Sequence, residues 1–300
     1  MTRSKNSRSE SSQMTHPIWK ALRNAARAPE ILRCAAETDQ WARLSAAYLG
    51  LSRLQYPVLL RLRRGEQIHL EELTDLKAFW QIFLRKVYKV RPTDEVIVDL
   101  GANVGVFTLY AARNAPQAKV FSFEPFPSTY LRLVATVRDH HLDSRVTCLN
   151  YAATGASGVR LMPNGQVPSQ RRALASAASV TPGTGVMGKT IESILEENHL
   201  PHVDLLKMDI EGSEYEVLLS TPQRVLSRIG RIALEYHGDS APYSKQQLFS
   251  HLGQAGFKVT WDACDAQGYG LAEFISFPDA TAHRQPGSGD HSSVTMKRKR

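Results

Sequence analysis

Val96-Ile97-Val98-Asp99-Leu100-Gly101-Ala102-Asn103-Val104-Gly105 is the stretch that decides the fold. An apolar run of strand length enters a glycine turn, and the turn opens a helix predicted over Val104–Asn114. The same alternation continues downstream. Strands are predicted at KVFSF (119–123), RVTCL (145–149), DLLKMD (204–209) and RIALEY (231–236). Between them lie helices at Ser128–His140, with Ser128 as N-cap, at Thr190–Asn198 and at Ser213–Ser220. A further helix at Ser244–Ala255 precedes FKVTW (257–261) and LAEFISF (271–277). Strands alternating with helices predict an α/β fold, a mostly parallel sheet covered on both faces. The final two strands have no helix between them, so the last is expected to run antiparallel.

Upstream, Pro17 to about Leu54 has helical spacing, and Val58–Leu62 with Gln67–Leu70 reads as a hairpin turning at Gly65. Leu73–Tyr88 reads as one amphipathic helix whose apolar face packs on the next domain. The expected organisation is a disordered tail at 1–16, a helical and hairpin extension at 17–90, the α/β domain at 91–279 and a disordered basic tail at 280–300. Residues 151–189 are irregular, with a hairpin expected at Val159–Met162.

The formal charge of +8 sits in the flanks: residues 1–95 carry 17 Lys/Arg against 10 Asp/Glu, whereas 96–281 carry 15 against 18. A nucleic-acid enzyme is expected to have a basic stripe beside its chemistry, so nucleic acid is not the expected partner. No apolar run reaches the roughly 18 residues of a membrane span, and no secretory signal is expected. Cys34, Cys148 and Cys264 are odd in number and far apart, which excludes a disulfide scaffold or a cysteine zinc site and predicts a reducing cytoplasm.

In such α/β units ligands bind outside the carboxyl ends of the strands. Gly101, Ala102, Asn103 and Gly105 form the turn at the first strand tip, the glycines giving it tightness and close approach to a ligand. A nicotinamide site would favour GxGxxG; here Asn103 takes the second glycine's place and Asp99 precedes the turn. A carboxylate repels a pyrophosphate and suits the ammonium and sulfonium of S-adenosylmethionine. Glu124, ending the second strand, is placed for two ribose hydroxyls. Asn150, ending the third, is placed either for the adenine edge or for a turn. Period 2 puts Lys207 and Asp209 on one strand face, and Glu235 and His237 on another. If those strands are neighbours, the four converge on one cleft. Glu211 reads as a helix-opening carboxylate.

VIVDLGANVGVFTLYAA, VFSFEPFPSTYLRL, CLNYAA, TIESIL, VDLLKMDIEGSEYEVL and IALEYH together resemble the FkbM-type methyltransferases over about residues 56–261. The resemblance implies a class I, Rossmann-like sheet of seven strands with an antiparallel last strand. It also implies S-adenosylmethionine contacts at Asp99, Gly101, Asn103, Gly105 and Glu124, with Asp209 near the reacting methyl, and O-methylation of natural products or glycans.

The expected mechanism is in-line attack of a substrate hydroxyl on the sulfonium methyl. His237 is the candidate base by intrinsic pKa and Asp209 by position. Asp209, Glu211, Glu235 and His237 are hard ligands but lack regular ligand spacing, so no metal is expected. RNA or protein methylation through the basic N-terminal region, and a non-catalytic binding module of the same fold, are the alternatives. The acceptor pocket is expected from segments 50–90 and 151–189.

Overall fold

The computed structural model describes residues 27–161, 175–176, 185–237, 242–264 and 269–276. The tails expected at 1–16 and 280–300, and the first turns of the expected Pro17–Leu54 helix, lie outside these residues.

What is described of that helical segment is two helices, α1 (Ala28–Glu37) and α2 (Trp41–Tyr48). The break falls at Thr38, extended at φ −150°, whose hydroxyl donates to Arg61 O at 2.7 Å. That side-chain bond competes with helix continuation. The hairpin is β1 (Val58–Arg61) and β2 (Gln67–Leu70), paired Val58 to Leu70, and Gly65 in its turn has φ +105°.

The helix expected at Leu73–Tyr88 is shorter and changes pitch. α3 (Leu73–Phe79) passes into a π-helical turn at Trp80–Arg85, and Lys86 then adopts a left-handed φ of +56°. Trp80, Phe83 and Leu84 remain buried, so the apolar face does pack as expected. The wider turn carries Tyr88 inward instead of along a helix surface.

From there the chain builds one seven-stranded sheet. β3 (Val96–Leu100), α4 (Val106–Asn114), β4 (Lys119–Phe123), α5 (Pro127–Asp139) and β5 (Val146–Leu149) form its first half. β6 (Ala152–Ala153), β7 (Gly158–Leu161), β8 (Ala175–Ser176) and β9 (Gly185–Lys189) form a separate small sheet ordered β6-β9-β7-β8. α6 (Ile191–Glu197), β10 (Leu205–Met208), α7 (Glu214–Ser220), α8 (Gln223–Leu226) and β11 (Arg231–His237) return to the large sheet. α9 (Lys245–Gln254), β12 (Phe257–Cys264) and β13 (Tyr269–Ser276) complete it. Its order is β12-β13-β11-β10-β3-β4-β5, with β13 antiparallel to both neighbours and the β11-β10-β3-β4-β5 ladder parallel. This is the α/β, Rossmann-like class I arrangement with an antiparallel last strand.

Two local expectations are corrected, and a third is described in part. The α5 helix begins at Pro127 after Phe126, without a side-chain cap, so Ser128 lies inside it; Pro at the first helical position needs no N–H partner. Of the hairpin expected at Val159–Met162, Met162 lies outside the described residues, and Val159 lies in β7, which pairs with β8 and β9. Glu211 is a loop residue at φ +55°, and Glu214 takes the role expected of it.

Strand alternation sorts the two cores. Val98, Leu100, Leu206, Met208, Ile232 and Leu234 face one layer, with α6, α7 and α9. Ile97, Leu205 and Ala233 face the other, against α4 and the N-terminal extension. Asp99, Lys207 and Glu235 share this second face, so the extension roofs the polar row. Arg231 anchors that roof: its guanidinium holds Asp94 at 2.6 Å on both oxygens and donates to Lys89 O at 2.7 Å.

Candidate active site

The glycine turn is built by packing. A Cβ on Gly101 would sit 1.8 Å from Asp209 O, and one on Gly105 would meet Leu133 Cδ1 at 2.9 Å. Both glycines have positive φ, +76° and +88°, which side chains disfavour. The space each leaves is closed by protein, so the turn packs tightly against β10 and α5. Gly101 N and Ala102 N donate to Phe123 O at 3.0 and 2.9 Å, fixing the turn against β4. Asn103 sits at φ +50°.

Asp99 is wholly buried and already matched. Its Oδ1 lies 3.0 Å from Lys207 Nζ, and Thr108 Oγ1 donates to Oδ2 at 2.9 Å. Lys207 also donates to Gly101 O at 2.7 Å and lies 5.8 Å from the ring centroids of Tyr88 and Phe107. Burial alone would lower the lysine's pKa, but Asp99 and Asp209 outweigh it and the net shift is upward. Lys207 therefore stays charged, as a clamp joining β10 to the β3 turn. It is not a proton acceptor.

Glu124 is buried at the β4 tip, its Oε2 accepting from Asn103 N at 2.9 Å and its Oε1 from Phe126 N at 3.0 Å. These bonds fix the carboxylate at the strand tip, beside the turn. Asn150 spends both amide hydrogens on the Glu124 and Pro125 carbonyls, at 2.8 and 2.9 Å. Of its two expected roles, the turn role is the one made; only its carbonyl oxygen is left for a ligand edge.

β10 and β11 are indeed neighbours, paired in parallel with Lys207 opposite Ala233. Asp209 follows the β10 tip, held by its N–H to Leu100 O at 3.1 Å. Among the described residues its carboxylate accepts no hydrogen bond. Burial raises its pKa against the opposing pull of Lys207 and His237, with Glu214 and Asp99 adding to the rise. Glu235, facing Asp209, is pushed up to about 8, first by the Asp209 charge and then by burial. Tyr88 Oη donates to Glu235 Oε2 at 3.3 Å, and burial with these two carboxylates raises the phenol well above its usual range.

His237 closes the group. Its Nδ1 is 3.1 Å from Glu214 Oε1 and its Nε2 is 3.4 Å from Glu211 Oε2. Glu214, wholly buried, also accepts from Ile210 N and Gly212 N at 3.1 and 2.9 Å. Burial would lower the imidazole pKa; the hydrogen bond and charge of Glu214, with Glu211 and Asp209, carry it up to about 9. Both nitrogens are turned to carboxylates, an arrangement that favours the protonated imidazole. One ligand atom each from Asp209, Glu211 and His237 lie within 4.8 Å of one another, a juxtaposition that ligand spacing along the chain does not show.

Asp209, Glu235, His237 and Lys207 are thus brought together on one face, with Asp99, beside the turn of Gly101, Ala102, Asn103 and Gly105. Tyr88, Thr108 and Glu214 are additional members that sequence reasoning missed. Glu214 lies in the quoted KMDIEGSEYEVL segment and was legible as a carboxylate in the first turn; Tyr88 carried no signal.

The sequence profile of the Methyltransferase FkbM domain matches residues 99–259. The chain belongs to this family. Methyltransferase 1 of Beauveria bassiana is 30% identical over 205 residues, covering 62% of this chain and 82% of that protein. The 31-O-demethyl-FK506 methyltransferase FkbM of Streptomyces tacrolimicus is 28% identical over 184 residues, covering 52% and 70%. The hexuronic acid methyltransferase AglP of Haloferax volcanii is 27% identical over 171 residues, covering 57% and 67%. The FkbM match spans the β3 turn, Glu124, Asn150 and the whole Asp209–His237 group. No described helix is long and apolar enough to cross a membrane.

Proposed function

We propose that this FkbM-family protein is an S-adenosylmethionine-dependent O-methyltransferase acting on a hydroxyl of a glycan or small natural product. The observation that carries the reading is the uncommitted Asp209 carboxylate. Asp99 is bound by Lys207, Glu124 by two backbone N–H groups and Glu214 by His237, whereas Asp209 is open at the strand tip beside the turn.

The donor set fits the cofactor. Glu124, a carboxylate fixed at the β4 tip beside the turn, would hold the ribose hydroxyls, and the Asn150 carbonyl oxygen would face the base. The preference for a cationic arm no longer rests on Asp99, whose charge Lys207 matches. It rests on Asp209, which follows the β10 tip beside the turn and whose carboxylate accepts no hydrogen bond among the described residues. When bound, S-adenosylmethionine supplies an electrophilic methyl on a positive sulfur.

The chain's task is then alignment and proton removal. Fixing hydroxyl and methyl in line is worth roughly 7–11 kcal/mol at the effective molarities of well-oriented reactions. Asp209 accepts the hydroxyl proton as the oxygen–carbon bond forms and the sulfur–carbon bond breaks, a contribution of typically ~10²–10⁴-fold. Lys207 and Glu235 set the field around it, and His237 positions the Glu211–Glu214 loop. The names of the hexuronic acid and 31-O-demethyl-FK506 relatives support a hydroxyl-bearing acceptor, and the slightly acidic 96–281 segment speaks against nucleic acid. Cys34 and Cys148 are free thiols, which fits a cytoplasmic location.

The test is incubation with methyl-labelled S-adenosylmethionine and extracts separated into glycan, small-molecule, RNA and protein fractions. Label is expected in the first two, falling at least 100-fold in Asp209→Asn. Label confined to RNA or protein, or undiminished turnover in the variant, contradicts the proposal.

A further inference from the structure

The Asp209–Glu211–His237 group has a geometry that methyl transfer alone does not require. We propose that these three side chains form a binding site for one divalent cation of the Mn²⁺ and Mg²⁺ class. Oxygen ligands sit about 2.1 Å from Mg²⁺ and up to about 2.6 Å from Ca²⁺, so atoms sharing one ion are about 3 Å apart as neighbours and about 4–5 Å apart across it. The three ligand atoms lie within 4.8 Å of one another, and His237 Nε2 is 3.4 Å from Glu211 Oε2, close to a neighbouring pair.

The histidine is oriented from outside the ligand set. Glu214, buried and pinned by Ile210 N and Gly212 N, takes Nδ1 at 3.1 Å and so aims Nε2 towards Asp209 and Glu211. Metal-bound histidines almost always give their second N–H to a carboxylate or carbonyl in this way. Charge points in the same direction. Beyond the two carboxylates of the group, the buried Glu214 faces His237, and the one nearby lysine, Lys207, is matched by Asp99. One imidazole with two carboxylates is a donor set for a hard to borderline ion.

For the ion's role the inference rests on the methyl-transfer reading: three protein ligands leave positions for the acceptor hydroxyl, whose acidity a bound cation raises. Asp209 bound through one oxygen keeps the other for the hydroxyl proton. Ion binding itself stands apart from that reading.

Mn²⁺ titrated into the full chain after EDTA treatment, with free Mn²⁺ read by electron paramagnetic resonance, tests it. One saturable site per chain is expected, weakened at least 10-fold in Glu211→Gln and in His237→Gln and unchanged in Glu197→Gln. Glu211 is half exposed, so its variant is expected to fold even if the histidine variant does not. No saturable site, or equal binding in the Glu211 and Glu197 variants, overturns the proposal and leaves His237 as an ion-paired imidazolium. A parallel S-adenosylhomocysteine titration separates the two readings. Nucleoside binding without Mn²⁺ refutes only the cation site, and Mn²⁺ binding without nucleoside refutes only the cofactor assignment.

Discussion

Replacing Lys207 by Met removes a charge from the most enclosed part of the molecule while keeping much of the side chain's volume. Lys207 is 3% exposed and Asp99 0%, and they meet at 3.0 Å. Removing one partner of a buried pair costs about 3–5 kcal/mol, because the other charge is left without compensation. Gly101 O loses its 2.7 Å charged donor as well, but the two losses share one group and do not add fully. About 4 kcal/mol is a large part of the 5–15 kcal/mol that holds a typical fold. At roughly 2–4 °C per kcal/mol for a chain of this size, the melting temperature should fall by about 8–16 °C. Urea denaturation followed by tryptophan fluorescence measures the loss directly. Lys207→Met with Asp99→Asn should recover most of it, since Asp99 is then no longer a buried charge without its partner. A single variant within 1 kcal/mol of the parent, or a double variant no more stable than the single one, refutes the clamp. A stable single variant that loses turnover would instead make Lys207 part of the chemistry.

Gly101→Ala should be destabilised by about 2–3 kcal/mol and lose cofactor affinity, because its Cβ meets backbone at 1.8 Å and must part β3 from the Asp209 tip; calorimetric unfolding and ligand titration read both. Glu124→Ala leaves the Asn103 and Phe126 amides without their acceptor. It should cost about 1–3 kcal/mol in denaturant titrations and weaken S-adenosylhomocysteine binding at least 10-fold. Burial holds the thiols of Cys34 and Cys148 at about 11. Their alkylation at pH 8, read by peptide mapping, should therefore be at least 100-fold slower in the native chain than in urea, where a thiol titrates near 8.5. Because these folded-state values are raised, their share of stability is full below the ordinary thiol range. It declines as pH climbs from about 9 towards 11, so the urea midpoint should fall across that window.

All seven strands of the large sheet were legible because their apolar runs lie between two helical layers, and the run length with its flanking turn residues survives without any tertiary information. The Asp99, Glu124 and Asp209 positions were legible for a related reason: each ends a strand, where such sheets bind ligands. What could not be read depended on register or on local twist. Asp99 faces Lys207 only because β3 and β10 pair directly across from each other, a relation between segments about a hundred residues apart. Glu211 meets His237 because it adopts a left-handed backbone, which its residue type does not announce. Tyr88 reaches Glu235 because the preceding helix widens to a π turn, and an apolar periodicity of 3.6 does not forecast that. β7 pairs with β8 and β9, which the residues around Val159 do not announce.

In the proposed function, the turn at Gly101–Gly105, Glu124 and the Asp209 tip together receive a nucleoside with a cationic sulfur arm. Isothermal titration of the purified chain with S-adenosylhomocysteine tests it most directly, with NAD as the competitor ligand. Saturable binding of one S-adenosylhomocysteine per chain is expected, weakened in Glu124→Ala, with no heat from NAD. Binding of NAD with indifference to S-adenosylhomocysteine would contradict it.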